Sequence, residues 1–180
     1  MSIQIALLRG VNVGGRSSLP MARLKALLEE MGFANPRTLL QSGNAVFESE
    51  GLVEAKLEAR LESALEAAFG RVIAVRTRSA RDWAEVVAHN PFPEEAKADP
   101  AKLLVMFLKH APTAETVEAL QAAINGPERV KAHGRHAYIV FPDGMGRSKL
   151  TPAVLEKRLG AGSTGRNWNT VLKLAAMAGV

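Results

Sequence analysis

The stretch HNPFPEEAKADPA, residues 89–101, divides this chain into two halves and contains Pro91, Pro93 and Pro100. Proline lacks a backbone N–H and restricts the residue before it, so neither a helix nor a central strand is expected to continue through this stretch. We therefore predict a proline-rich linker at 89–101, between an N-terminal α+β subdomain (1–88) and a C-terminal α+β subdomain (102–180) whose second half is basic.

The elements on the two sides of the linker follow one order. Apolar runs of strand length and amphipathic helical patterns alternate as strand, helix, two strands and helix in each half. The segments before the linker are IQIALLRG (3–10), MARLKALLEEMG (21–32), TLLQSGNAVFES (38–49), VEAKLEARLESALEAAFG (53–70) and RVIAVRTR (71–78). Those after it are KLLVMFLK (102–109), TAETVEALQAAING (113–126), ERVKAHGRHAYIVFPDG (128–144) and TPAVLEKRLG (151–160). This order predicts an α+β fold of two ferredoxin-like (split βαβ) subdomains packed together, with an extra C-terminal helix.

The composition excludes several classes of site. The chain has no cysteine, which excludes disulfides, thiolate nucleophiles and cysteine metal sites. His133 and His136 flank a turn without a third ligand nearby, so we predict no metal site. No apolar stretch reaches the roughly 20 residues of a membrane span, and the first residues do not resemble a signal peptide. We expect a cytoplasmic protein with no cofactor and no membrane partner.

Positive charge is concentrated in the second half of the chain. The net charge is +5, and the segment from Arg129 to Lys173 has nine basic residues against Asp143 and Glu156. Such a segment indicates an anionic partner, although a solvated basic face is the alternative explanation.

Two candidate binding loops lie in the N-terminal half. In RGVNVGG (9–15), Arg9 offers a bidentate grip on an anion, Asn12 offers a donor and an acceptor, and Gly14-Gly15 lets the backbone turn its N–H groups to a ligand. A plain turn is the alternative. In QSGN (41–44), polar side chains interrupt an apolar β segment, either facing a pocket or closing a hairpin.

Two more candidates lie in the C-terminal half. In GMGRSKLTP (144–152), glycines and two cations lead into a helix start, where free N–H groups favour an anion. In TGRNWNTVLKL (164–174), Asn167 is sufficient to cap the predicted helix, so the remaining polar groups either hold the C-terminal segment on the fold or lie beside a ligand. The predicted ligand-binding residues are Arg9, Asn12, Gly14, Gly15, Gln41, Ser42, Asn44, Arg147, Ser148, Lys149, Arg166, Asn167 and Asn169.

Several of these segments, taken together, resemble the motifs of one known protein family. RGVNVGG (9–15), MARL (21–24), QSGNAVFES (41–49), GRSKLTP (146–152) and RNWNTVLKL (166–174) resemble the bacterial family called domain of unknown function 1697, in the family's order and over nearly the whole chain. The resemblance implies a two-subdomain α+β fold and no particular activity. Relatives are expected to have a threonine or another side-chain-bearing residue at the position of Gly165.

The residues leave three functions open. The first is binding of an anionic ligand, a nucleotide or another phosphorylated compound, in a cleft between the subdomains. Nucleic acid is a further candidate for that site, but an aromatic content of 5% gives few rings on which bases stack. The second is an enzyme acting on a phosphorylated or carboxylated small molecule, for which no general base or other catalytic residue stands out. The third is a protein-interaction domain whose motifs are structural only.

Overall fold

The computed structural model describes residues 1–14 and 18–180, which divide into two compact units. The N-terminal unit comprises Met1–Glu85 and Leu174–Val180, and the C-terminal unit comprises Val86–Lys173. The last seven residues therefore belong to the first unit, whereas the sequence-based division places them in the second. One reason is a hydrogen bond between residues far apart in the chain, since Arg37 Nη2 donates to the carbonyl oxygen of Met177 over 2.6 Å.

The N-terminal unit contains one four-stranded antiparallel sheet with two helices. Its elements are β1 (Ser2–Leu8), α1 (Met21–Glu30), β2 (Ala34–Leu39), β3 (Asn44–Ser49), α2 (Glu54–Phe69) and β4 (Val75–Ser79). The strand order is β2-β3-β1-β4. All three neighbouring pairs are antiparallel, so the ends of β1 and β2 meet the starts of β3 and β4 at one end of the sheet.

The core of this unit lies between one face of the sheet and the helices. Alternate residues of β1, Ala6 and Leu8, join it because successive side chains of a strand point to opposite faces. Helix α2 contributes Leu57, Leu61 and Leu65, whose four-residue spacing places them on one buried stripe. The same helix ends at Gly70 in the left-handed conformation, as its sequence predicts.

The C-terminal unit repeats this strand order. Its elements are α4 (Pro93–Ala98), β5 (Leu103–Phe107), α5 (Ala114–Ala123), β6 (Arg129–His133), β7 (His136–Val140), α6 (Pro152–Leu159) and β8 (Thr164–Asn167). The sheet is antiparallel in the order β6-β7-β5-β8. The unit boundaries fall within α3 (Ala80–Ala88) and α7 (Trp168–Ala178). The segment predicted as a linker contains α4 and a 3₁₀ turn at Pro100–Lys102.

Strand β8 is an element that local sequence does not indicate. Its four residues TGRN have little strand preference, yet Leu104 to Phe107 of β5 pair with them along their whole length. Gly165 faces that neighbour closely, because an ideal Cβ there would lie 2.8 Å from Met106 Sδ and 3.0 Å from Leu104 Cδ1. In this chain, packing therefore favours glycine where relatives are expected to have a larger residue.

The architecture is thus α+β with a C-terminal helix, as the sequence predicts, and it contains two four-stranded antiparallel sheets with helices on each. Within residues 1–14 and 18–180, no helix combines the length and the apolar character needed to cross a bilayer.

Candidate functional site

The structure brings the two predicted loops of the N-terminal unit into direct contact. Asn12 Nδ2 donates to the carbonyl oxygens of Leu19 and Gln41, over 2.9 and 2.5 Å. Its Oδ1 accepts the backbone N–H of Leu19 over 2.7 Å. Asn12 therefore closes its own loop and connects it to the β2–β3 turn. Both the Nδ2 and the Oδ1 of its side-chain amide are hydrogen-bonded to the backbone.

The β2–β3 turn is also held by the buried amide of Asn44. Asn44 is fully buried, and its Nδ2 donates to Leu39 O and Ser42 Oγ, each over 2.9 Å. Gly43 between them has φ of +79°, and a Cβ there would lie 2.8 Å from Leu8 Cβ. Leu40 also has a positive φ, of 57°, which is strained for a branched side chain.

Other predicted residues of this unit lie at its surface. The side chains of Arg9, Gln41 and Ser42 are exposed, as is Gly14, whose φ is +68°. Arg9 also donates its backbone N–H to Ala74 O over 2.9 Å. Gly15 lies outside the described residues. The first two motifs thus form one loop cluster at the end of the sheet, with the asparagines holding it together.

The predicted basic loop of the C-terminal unit lines a cavity of about 400 Å³. Arg147, Ser148 and Lys149 contribute to its wall, and Arg158 of α6 adds a third cation. Asp143 and Glu128 are the carboxylates, and the apolar part of the lining comprises Leu120, Ala123, Ile124, Pro127, Leu150 and Val154. The cavity therefore combines an apolar wall with cationic groups, as small-molecule sites do.

Ser148 is fixed at the centre of the basic loop. Its hydroxyl donates to Glu128 Oε1, and its Oγ accepts the backbone N–H of Leu150 over 3.0 Å. The loop continues into α6, where Thr151 Oγ1 accepts the N–H of Val154 over 3.4 Å as the N-cap. These contacts hold Arg147 and Lys149 on both sides of an anchored serine, while their own side chains remain exposed.

The last predicted cluster has structural contacts and does not contribute to this cavity's lining. Arg166 is 7% exposed, and its Nη1 donates to Thr164 Oγ1 over 2.7 Å and to Gly165 O over 2.8 Å. Burial lowers the pKa of Arg166 to about 10, so the side chain is still protonated at neutral pH. Asn167 caps α7, and Asn169 is exposed.

Glu128 is a charged residue of the cavity wall that sequence reasoning missed, as it missed Asp143 and Arg158. It is a buried carboxylate in the turn between α5 and β6, and its partner Ser148 lies twenty residues further along the chain. The local sequence NGPE predicts only a turn after a helix. Nothing in it shows that the carboxylate meets the basic loop, because that contact joins residues twenty positions apart.

Comparisons with known proteins agree with this architecture. A solved structure, that of the conserved bacterial protein SP0830 from Streptococcus pneumoniae, superposes with a TM-score of 0.78 at 20% sequence identity, with 98% of each chain covered. At that identity the likeness shows the fold alone. No curated protein matches the sequence.

The sequence model of one family matches residues 1–138, which include the loop cluster of the N-terminal unit, the strands β5 and β6 and the first three residues of β7. Its description is "Protein of unknown function (DUF1697)". The interpretation drawn from the motifs is therefore confirmed: this chain belongs to the DUF1697 family.

Proposed function

We propose that the C-terminal unit binds a compact phosphorylated ligand in the cavity formed by the basic loop, α5 and α6. The observation that carries this proposal is that Arg147 and Lys149, with Arg158, line one cavity of about 400 Å³. Guanidinium and ammonium groups bind phosphate through charge-assisted hydrogen bonds, and a concave site keeps those bonds from competing fully with water.

Two features support a compact ligand over a nucleic acid strand. The cavity volume falls within the range typical of small-molecule sites, roughly 300–1,000 Å³. Among the described residues that line it, none has an aromatic ring on which a base would stack. A ligand body of modest size would instead contact the apolar wall, for example at Ile124 and Leu150.

A titration with matched variants tests the proposal. Purified wild type, an Arg147→Ala/Lys149→Ala double variant and a Lys157→Ala control are compared by calorimetry and thermal unfolding with inorganic phosphate, ribose 5-phosphate and adenosine monophosphate. Lys157 is an exposed lysine of α6, the helix after the basic loop, and it does not line the cavity. At one hundred times its dissociation constant, a bound probe stabilises the native state by about 2.7 kcal/mol.

We expect at least one probe to stabilise the wild type and the Lys157 control, and to lose most of its affinity for the double variant. Absence of binding by every phosphorylated probe, or binding that the double variant retains in full, would overturn the proposal.

A further inference from the structure

A buried carboxylate lies in the wall of the cationic cavity. Glu128 is 9% exposed and lines the cavity together with Arg147 and Lys149. Two like charges repel each other more strongly in a partly dry site than in water, so Glu128 weakens the binding of a bare phosphate. Besides anchoring Ser148, a glutamate in this position can attract hydrogen-bond donors of a ligand.

The contacts of Glu128 leave part of its acceptor capacity unused. Ser148 donates one hydrogen bond to Oε1, and within residues 1–14 and 18–180 Glu128 forms no ion pair. A carboxylate has about four acceptor positions, of which this hydrogen bond uses one. Donors on a ligand would therefore be bound favourably here.

The neighbouring serine is not the group that a ligand would use. Ser148 already donates its proton to Glu128 and accepts the backbone N–H of Leu150. Of the two carboxylates in the lining, Asp143 is exposed, whereas Glu128 is buried in the wall and bonded to Ser148, so Glu128 is the positioned acceptor for a ligand hydroxyl.

Gly126 leaves room for the carboxylate of Glu128. A Cβ at residue 126 would overlap Oε2 of Glu128 and would lie 3.1 Å from its Cδ. The backbone of Gly126 is not in the left-handed region, so its conformation alone does not require glycine. The space that a side chain would occupy there is taken by the carboxylate.

From these contacts we infer that Glu128 selects phosphate monoesters whose carbon skeleton carries hydroxyl groups, as sugar phosphates and nucleoside monophosphates do, over inorganic phosphate. The inference rests on the proposed function and adds the ligand class. Arg147 and Lys149 hold the phosphate, Glu128 accepts the ligand hydroxyls, and apolar side chains such as Val154 contact its C–H groups.

Calorimetry with paired ligands tests this selection. The probes are inorganic phosphate, ribose 5-phosphate, 2-deoxyribose 5-phosphate and adenosine monophosphate. The variants are Glu128→Gln and, as control, Glu118→Gln, which changes an exposed glutamate of α5 outside the cavity. Gly126→Ala serves as a second variant, because its methyl group must displace the carboxylate and because it remains informative where Glu128→Gln fails to fold.

We expect the wild type to bind ribose 5-phosphate about tenfold more tightly than inorganic phosphate, which equals about 1.4 kcal/mol. In Glu128→Gln and Gly126→Ala this preference should fall to about twofold or less, with binding of inorganic phosphate kept or improved, while Glu118→Gln retains the preference. Weaker binding of the 2-deoxy sugar than of ribose 5-phosphate by the wild type, with no such difference in Glu128→Gln, would show that Glu128 binds that hydroxyl. Tighter binding of adenosine monophosphate than of ribose 5-phosphate indicates a nucleoside, and the reverse a sugar phosphate; both support the inference.

Equal wild-type affinity for inorganic phosphate and ribose 5-phosphate would overturn the inference and leave the proposed function standing. The inference would also be overturned, and the proposed function left standing, if both Glu128→Gln and Gly126→Ala retained the preference for ribose 5-phosphate over inorganic phosphate. Failure of every phosphorylated probe to bind would overturn both.

Discussion

Glu58 Oε2 lies 2.6 Å from Arg76 Nη1, and both side chains are buried. The other carboxylate oxygen of Glu58 accepts the backbone N–H of Thr77 over 2.8 Å, and Glu62 Oε1 accepts that of Val75 over 2.9 Å. Two glutamates of α2 therefore occupy the outward N–H groups of β4, which is an edge strand. Covering such groups prevents pairing with another chain.

Burial dominates the ionisation of this glutamate. It raises the pKa of Glu58 above its ordinary value, although the Thr77 N–H and the Arg76 guanidinium act in the opposite direction. The pair as a whole is thus no large source of stability, but removal of one partner leaves the other buried without full compensation.

Replacement of Glu58 by alanine should lower the free energy of unfolding by about 3 kcal/mol, since Arg76 and the Thr77 N–H lose their acceptor. Urea denaturation measures the change, and Glu66→Ala on the exposed side of α2 should stay within about 0.5 kcal/mol. A double Glu58→Met/Arg76→Met variant should be less destabilised than the sum of its single changes, by about 1 kcal/mol or more. Strict additivity would contradict the coupling.

A comparison of alanine variants at Gly43 and Gly70 separates the free-energy cost of a steric clash from that of an unfavourable φ. Gly43→Ala places a methyl group against Leu8 and Val11 in addition to its unfavourable φ, whereas Gly70→Ala has a positive φ of +69° with open space around it. The Gly70 variant should lose about 1 kcal/mol and the Gly43 variant at least about 2 kcal/mol in denaturant unfolding. Equal losses would mean that the loop cluster adapts freely.

The single tyrosine of the chain provides a pH-dependent signal. Tyr138 is buried, its hydroxyl donates to Val86 O over 2.8 Å, and burial raises its pKa well above the ordinary 10.0. The unfolded state therefore releases this proton first, so stability should decrease as the pH rises above about 10.

Tyrosinate absorbance should consequently appear only together with unfolding, as followed by circular dichroism in the same samples. Tyr138→Phe should remove this contribution to the pH dependence and cost about 1–2 kcal/mol at neutral pH, because Val86 O loses its donor. Ionisation near pH 10 in a protein that remains folded would argue against the buried position.

The two asparagines beside Trp168 should differ in effect. Asn167 Oδ1 accepts the backbone N–H of Thr170 over 3.0 Å as the cap of α7, while Asn169 is exposed. Asn167→Ala should therefore destabilise the protein by about 1 kcal/mol, and Asn169→Ala by less than about 0.5 kcal/mol, in parallel thermal and urea unfolding. Similar losses for both variants would show that Asn169 has a role besides solvation.

Much of the fold is predictable because its signals are local. The four-residue spacing of Leu57, Leu61 and Leu65 indicates a buried helix face, and Gly70 after it indicates the helix end. The order of strand and helix patterns around the proline-rich stretch predicts the α+β class. Asn167 as a cap follows from its residue type at a helix start.

What only the tertiary structure decides are contacts between residues distant in sequence. The strand β8 exists because β5 offers an unpaired edge to TGRN, not because those residues favour a strand. In the same way, the local sequence gives Asn12 a free amide suited to a ligand, whereas folding brings Leu19 and Gln41 to that amide and occupies it. The cations and glycines of the basic loop, with the helix start after it, predict a candidate site there. The pairing of Glu128 with Ser148, which gives the cavity a buried acceptor beside its cations, arises only when α5, β6 and the loop pack together. Helix caps and hydrophobic periodicity involve residues that are close in sequence, so the sequence predicts them. The chemistry of a site depends instead on which side chains the packed sheets and helices bring within a few ångströms of each other.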